Sequence, residues 1–264
     1  LPAFGGAANR SGDKPGNQSR KIVTDVAAVR DNVPDRPAPG LLARMVGVLV
    51  SPRETYAAVA ARPRALGAIV VVLAIVVLAQ GIFLSTEVGQ QAALDQNVRA
   101  MEAFGVQIPD EAYRRMEEGM RMAPVTGGIS AMIFWPLLMV ILSALFLGVF
   151  SMLMGGSATF KNVFAIVAHS SIVIALQQAF SMPLSYARGE FAGANLGIFV
   201  PMVEETSFIA RFLGAIDLFF IWWIVSVSIG LAVLYKRRTG GISTSLLAVY
   251  VGIALIVAIW RSGS

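Results

Sequence analysis

The chain has 264 residues, 56% of them hydrophobic and only 14% charged, with 21 Lys and Arg against 16 Asp and Glu. A water-soluble domain carries about a quarter charged residues, so this composition excludes an ordinary soluble protein and points to an integral membrane protein with a mean hydropathy of +0.70. The absence of cysteine excludes disulfides, thiolate nucleophiles and Cys-ligated metals, and a single histidine excludes a histidine metal cluster. The basic residues gather on one side of the expected membrane, which points to anionic lipid head groups and not to nucleic acid.

Residues 1–39 are rich in Gly, Pro, Asn, Asp and Arg. Such a segment cannot bury enough apolar area to offset its ordering entropy, and a disordered basic tail is expected. It also lacks the apolar core of a signal peptide. Residues 40–64 are expected to lie in the interface as short amphipathic helices. The first, Gly40–Val50, is too short to span and places Arg44 toward the head groups. The second starts at Ser51-Pro52-Arg53-Glu54, where Ser51 and Glu54 have the spacing of a reciprocal capping pair and Pro52 suits the first helical position. Tyr56 and Val59 then share one face.

Residues 65–260 contain five apolar segments long enough to cross a bilayer: Leu66–Ser85, Gly128–Met154, Asn162–Phe180, Phe212–Tyr235 and Ile242–Trp260. The loop 87–127 between the first two carries seven acids against four arginines. Leu94, Val98 and Met101 share one helical face there, and Tyr113, Met116 and Met120 another, so an outer helical hairpin capping the bundle is expected. With the N-terminus inside, 14 of the 21 Lys and Arg fall on the inner side and seven on the outer. Arg53, Arg62, Arg64 and Lys236-Arg237-Arg238, all close to spans, agree. The expected fold is therefore an all-α bundle of five transmembrane helices, with the N-terminus cytoplasmic and the C-terminus outside.

Polar residues inside the spans are the candidate sites. At about 1.5 Å per residue, Asp217, Gln80, Gln177 and Gln178 share an outer layer. An acid in lipid needs a partner or a purpose. The layer is therefore either a proton or cation site, or a fastening in which Gln80 or Gln177 bonds Asp217; pairing with Arg211 or solvation at the interface are further possibilities. A second layer holds His169, Ser226 and Ser228. It is either a relay or a histidine bonded to a serine or a backbone carbonyl. The small residues Ala144 and Gly148, Ser226 and Gly230, and Ala248 and Gly252 recur at four-residue spacing and suit close helix packing. No phosphate loop of the G-x-x-x-x-G-K-S/T kind and no intramembrane carboxylate pair is present.

Three stretches carry a family likeness: Ser51-Pro52-Arg53-Glu54-Thr55-Tyr56, Gly155-Gly156-Ser157-Ala158-Thr159-Phe160-Lys161-Asn162, and Asp217-Leu218-Phe219-Phe220-Ile221-Trp222 followed by Gly230-Leu231. In order and spacing, from about Met45 to Trp260, the chain resembles the Yip family of Rab/Ypt-interacting membrane proteins, particularly its bacterial members. The resemblance implies a five-helix membrane bundle in a bacterial inner membrane, with no cofactor and no established enzymatic activity. Eukaryotic members bind prenylated Rab-type GTPases and each other; bacteria lack that GTPase system, so the role is not carried over. The chain departs from the family in its third span, where a Tyr and a Pro are often found and Ala168-His169-Ser170-Ser171-Ile172-Val173 stands instead. The expected function is a non-enzymatic scaffold that organises membrane or recruits protein partners, itself included. The alternative is a small transporter or channel for protons, ions or a lipid-like solute that uses the Asp217 layer.

Overall fold

The structure is a computed structural model that describes residues 40–155, 158–200, 202–204 and 207–263. The expected disordered tail at 1–39 and the pair Gly156-Ser157 lie outside them. Among the described residues the chain is all-α, with one isolated bridge between Asn195 and Asp217.

Two short helices, α1 (Leu41–Val50) and α2 (Pro52–Ala61), precede α3 (Leu66–Leu84). Ser51 joins them but makes no side-chain cap, contrary to the sequence expectation. Its amide closes α1 on the Gly47 carbonyl at 2.8 Å, so the end of α1 sets its backbone. The Thr55 hydroxyl donates to the Ser51 carbonyl at 3.0 Å instead. Helix α2 lies across one end of the bundle. Asn162 donates to the Ala60 carbonyl at 3.0 Å, while Ser51 and Pro52 approach Thr239 around one cavity. The Tyr56 and Val59 side chains point inward and are fully buried.

Helices α4 (Glu87–Ala103) and α5 (Asp110–Gly119) form the hairpin at the other end. Thr86 caps α4 by accepting from the Gly89 amide at 3.0 Å. Ala92 and Leu94 are buried and α5 buries nothing, so the hairpin rests on α4 and leaves α5 to solvent. A single-turn 3₁₀ segment (Met120–Met122) leads into α6 (Ala123–Met154).

Helices α7 (Phe160–Ser170) and α8 (Ile172–Arg188) meet at Ser171 and act as one 29-residue span. Ser170 and Ser171 donate to the carbonyls of Ile166 and Val167, one turn back, at 2.9 and 2.8 Å. Such back-bonding disturbs a helix locally, and here the irregularity arises without a proline. In its most apolar 18 residues about 67% are buried, against 22% or less in the same measure of the other helices long enough to cross. The α7–α8 rod is thus the pillar of the bundle, and Val163, Ile166, Val167, Ala168, Val173 and Ala175 along it are almost wholly buried.

After α8 the chain makes a 3₁₀ turn (Leu196–Phe199) and a short helix, α9 (Phe208–Gly214), and then runs through α10 (Leu218–Leu234) and α11 (Thr239–Gly263). Among the described residues four helical stretches are long and apolar enough to cross a membrane: Leu66–Leu84, Asp110–Met152, Phe160–Arg188 and Thr239–Trp260. The fourth expected segment is divided. Its continuous apolar sequence becomes α9, a break at 215–217, and the 17 residues of α10. Trp223 turns into the core while Trp222 is 40% exposed. Leu66, Leu78, Ile82, Ile133, Val249 and Ile256 are all more than half exposed, the apolar outer skin that a bilayer would cover.

Candidate functional site

Asp217 is not inside a helix. It is the N-cap of α10, with extended backbone and its Oδ1 accepting from the Phe220 amide at 3.0 Å. That position supplies the carboxylate with an orphan amide and the positive end of a helix dipole. Its Oδ2 accepts from Gln177 of α8 at 2.8 Å. Its amide donates to the Tyr250 hydroxyl of α11 at 2.8 Å, and that hydroxyl donates to the Ala215 carbonyl at 3.1 Å. Leu196 and Leu218 complete the knot through amide bonds of 2.9 Å to Ile216 and Ala194. The junction therefore ties α8, the 190–200 segment, α10 and α11 together, and both carboxylate oxygens are engaged.

Only one of the expected partners in that layer is brought to Asp217. Gln80 is half-buried and faces α6 instead, where a Cβ on Gly127 would come within 3.5 Å of its Nε2. Gln178 is half-buried one residue beyond Gln177. Consecutive residues on a helix point about 100° apart, so it cannot share Gln177's direction.

The second polar layer is reorganised around a residue from outside the spans. Tyr56 of α2 places its hydroxyl 2.7 Å from Ser170 Oγ and 2.6 Å from Ser226 Oγ. Ser170 donates its own proton to the Ile166 carbonyl. Ser170 must then accept from Tyr56, and Tyr56 in turn accepts from Ser226, because each hydroxyl has one proton. The chain Ser226 to Tyr56 to Ser170 to the Ile166 carbonyl is satisfied in one direction and ends on a group that cannot pass a proton on. Burial pushes the Tyr56 phenol up to about 12, against the lowering effect of its two serine bonds.

His169 and Ser228, the other expected members, turn away. His169 is fully buried, and its Nδ1 donates to the Ala165 carbonyl at 2.7 Å. Its Nε2 has no hydrogen-bond partner among the described residues. Ser228 donates to the Ile224 carbonyl at 2.6 Å. Arg44, expected toward the head groups, is half-buried, with its Nε shielded from solvent.

The small residues divide in the same way. A Cβ on Gly230 would overlap Ile166 and come within 3.2 Å of the Tyr56 ring, so glycine there admits the tyrosine; Ser226 is buried one turn away. Gly148 and Gly252 have nothing within 4 Å of that position, and Ala144 and Ala248 are exposed. Those two pairs do not pack helices within the chain.

Sequence reasoning placed Tyr56 on one face with Val59 but gave it no partner, and it passed over Ser170 and Tyr250. The available signal was a tyrosine among small residues on a helix too polar to span. Among the described residues no group of three His, Asp or Glu stands close enough to hold a metal ion.

The family model described as Yip1 domain matches residues 46–261. Comparison with curated proteins and with solved structures gave no match.

Proposed function

Since the chain belongs to the Yip1 domain family and is an integral, multi-pass membrane protein, we propose that it serves as a non-enzymatic scaffold that organises membrane and recruits protein partners. In this reading α10 is a fifth span, at the lower end of the lengths that cross a bilayer. The N-terminus is cytoplasmic, the C-terminus is outside, and the membrane is a bacterial inner membrane. The end carrying α2 meets anionic head groups. The outward pairs Ala144 with Gly148 and Ala248 with Gly252 offer close-approach faces to a second copy or another membrane helix.

One observation carries the reading. Polar side chains at both layers are engaged in fastening: Asp217 on a helix cap and Gln177, Tyr56 on Ser170 and Ser226, and Ser228 on its own helix. A transport site needs groups that exchange partners with a solute. Here Asp217 would have to release a cap or a glutamine to receive one.

The test is flux through purified protein in liposomes, followed with a pH-sensitive dye and with potassium release, alongside membrane crosslinking and capture of partners. The expected result is no flux above empty vesicles and a stable crosslinked neighbour. A flux that Asp217→Asn abolishes, in protein that still folds, would overturn the scaffold in favour of a transporter.

A further inference from the structure

The end of the bundle covered by α2 carries a cationic cavity that neither polar layer uses. Arg53, in the first turn of α2, and Arg238, directly before α11, line one space of about 670 Å³ with Thr239, Gly240 and Gly241. Both arginines are exposed, and among the described residues neither has a carboxylate within ion-pair distance. Two like charges from elements far apart in sequence repel each other, so their convergence calls for an anion.

The backbone supports the same ligand. At the end of α10 the Arg237 amide turns back to the Ala232 carbonyl at 2.9 Å, with Lys236 at φ 53°. That left-handed conformation is one glycine usually takes at a helix end. This tight reversal sets Arg238 beside the first turn of the 25-residue α11, whose amides lack intrahelical acceptors. Gly240 and Gly241 have nothing within 4 Å of a would-be Cβ, so an oxygen can approach that backbone.

A second cavity, of about 410 Å³, shares Arg53 and Thr239 and adds Ser51, Pro52, Glu54 and Ile229. Pro52 and Ile229 give it an apolar wall, and Glu54 gives it a hydrogen-bond acceptor. Two arginines against one glutamate leave one net positive charge, which matches the single charge of a phosphodiester. Guanidinium forks suit its oxygens, the apolar wall suits the glycerol and first acyl carbons, and Glu54 suits a head-group hydroxyl.

We propose that the two cavities, which share Arg53 and Thr239, together bind the phosphodiester head group of an anionic membrane lipid that bears a hydroxyl, with Arg53 and Arg238 on the phosphate. The proposal rests on the scaffold reading only for the chain's place in a bilayer, and its test uses neither flux nor partner capture, so the two fail separately.

The experiment reconstitutes the full chain in phosphatidylcholine nanodiscs containing a minor fraction of phosphatidylglycerol. The protein is extracted in mild detergent and the retained lipid counted by native mass spectrometry. Wild type is expected to retain phosphatidylglycerol, and the double variant Arg53→Gln, Arg238→Gln to lose it about tenfold, since an exposed charge pair contributes less than a decade and the two together about one. Arg62→Gln with Arg64→Gln, exposed cations near the same end that do not line the cavities, is the control and is expected to retain the lipid. Helicity and elution volume establish that each variant folds; should the double variant fail, Arg238→Glu alone replaces it. Equal loss in the control, or unchanged retention in the double variant, overturns the site. Displacement of the lipid by excess inorganic phosphate overturns the lipid in favour of a soluble anion.

Discussion

The tyrosine–serine chain under α2 and the Asp217 junction near the hairpin both tie several elements together with polar groups, but they are built from different materials. In the first, side chains from α2, α7 and α10 bond one another, and Tyr56 and Ser170 are wholly buried. In the second, most bonds engage backbone of an unwound stretch, and Asp217, Gln177 and Tyr250 are only half-buried. A polar group stranded in a dry core costs its full desolvation, whereas one near the interface can turn to water. Stability should therefore concentrate in the tyrosine chain. The junction matters in another way, because it decides where α10 begins.

The largest expected effect is Tyr56→Ala. It empties a fully buried aromatic site and leaves the Ser226 hydroxyl without its acceptor, at about 3–5 kcal/mol, read from denaturation in detergent. If it costs no more than Asp217→Ala, the contrast between the two regions collapses. The phenol adds a pH arm. Its folded value is raised to about 12 from the ordinary 10.0, so the folded state holds the proton more tightly than the unfolded chain does. The linked stability is fully present below pH 10 and is lost as pH rises through 12. Tyr56→Phe should remove that alkaline loss, seen as a flatter stability profile and as a missing tyrosinate signal.

Next in size is Gly230→Ala, whose new methyl would overlap Ile166 and crowd Tyr56. Overpacking of this kind costs about 1–3 kcal/mol. Gly252→Ala is the matched control. With open space around it, it should be neutral or stabilising by up to about 1 kcal/mol, because alanine is the better helix former. Equal losses at both sites would show that glycine matters there for flexibility and not for the seat of the tyrosine.

The contrast also explains what the sequence made legible. Long apolar runs such as Leu66–Leu84 and Thr239–Gly263 announce themselves, because a span needs length and hydropathy and little else. The break before α10 was hidden because Phe212–Tyr235 is apolar on both sides of Asp217, and hydropathy is blind to helix ends. Asp217 with Phe220 three residues on is a cap spacing that was outweighed by its apolar flanks. The fastening of Asp217 by Gln177 was within reach of depth counting, since both lie near the same end of neighbouring spans. Tyr56 was not. Its serine partners lie 114 and 170 residues away, and rise per residue places nothing that comes from outside the spans.

At the junction the expected losses are smaller. Asp217→Ala removes a cap, at about 0.5–2 kcal/mol, whereas Asn caps about as well as Asp and should cost only a few tenths. A double-mutant cycle of Asp217→Ala with Gln177→Ala isolates the interhelical bond. Such bonds average about 0.6 kcal/mol in a membrane bundle, so a coupling above about 2 kcal/mol would make the carboxylate part of a buried network and bring the two regions into line.

The smallest effect separates two serines that sequence depth alone treats as equals. Ser226 and Ser228 are both buried on α10, but Ser226 bonds Tyr56 across the bundle while Ser228 bonds only the Ile224 carbonyl of its own helix. That carbonyl already has the helix's own amide for a partner, so Ser228→Ala leaves nothing stranded. It also removes a back-bond that slightly loosens the helix, and its expected change lies within about 0.5 kcal/mol of zero. Ser226→Ala withdraws the donor to the Tyr56 oxygen, and about 1 kcal/mol should be lost. In the Tyr56→Phe background the acceptor is gone, and Ser226→Ala should become as silent as Ser228→Ala. Denaturation midpoints of these variants check the difference; a cost at Ser226 that survives in the phenylalanine background would mean the serine bonds something other than the tyrosine.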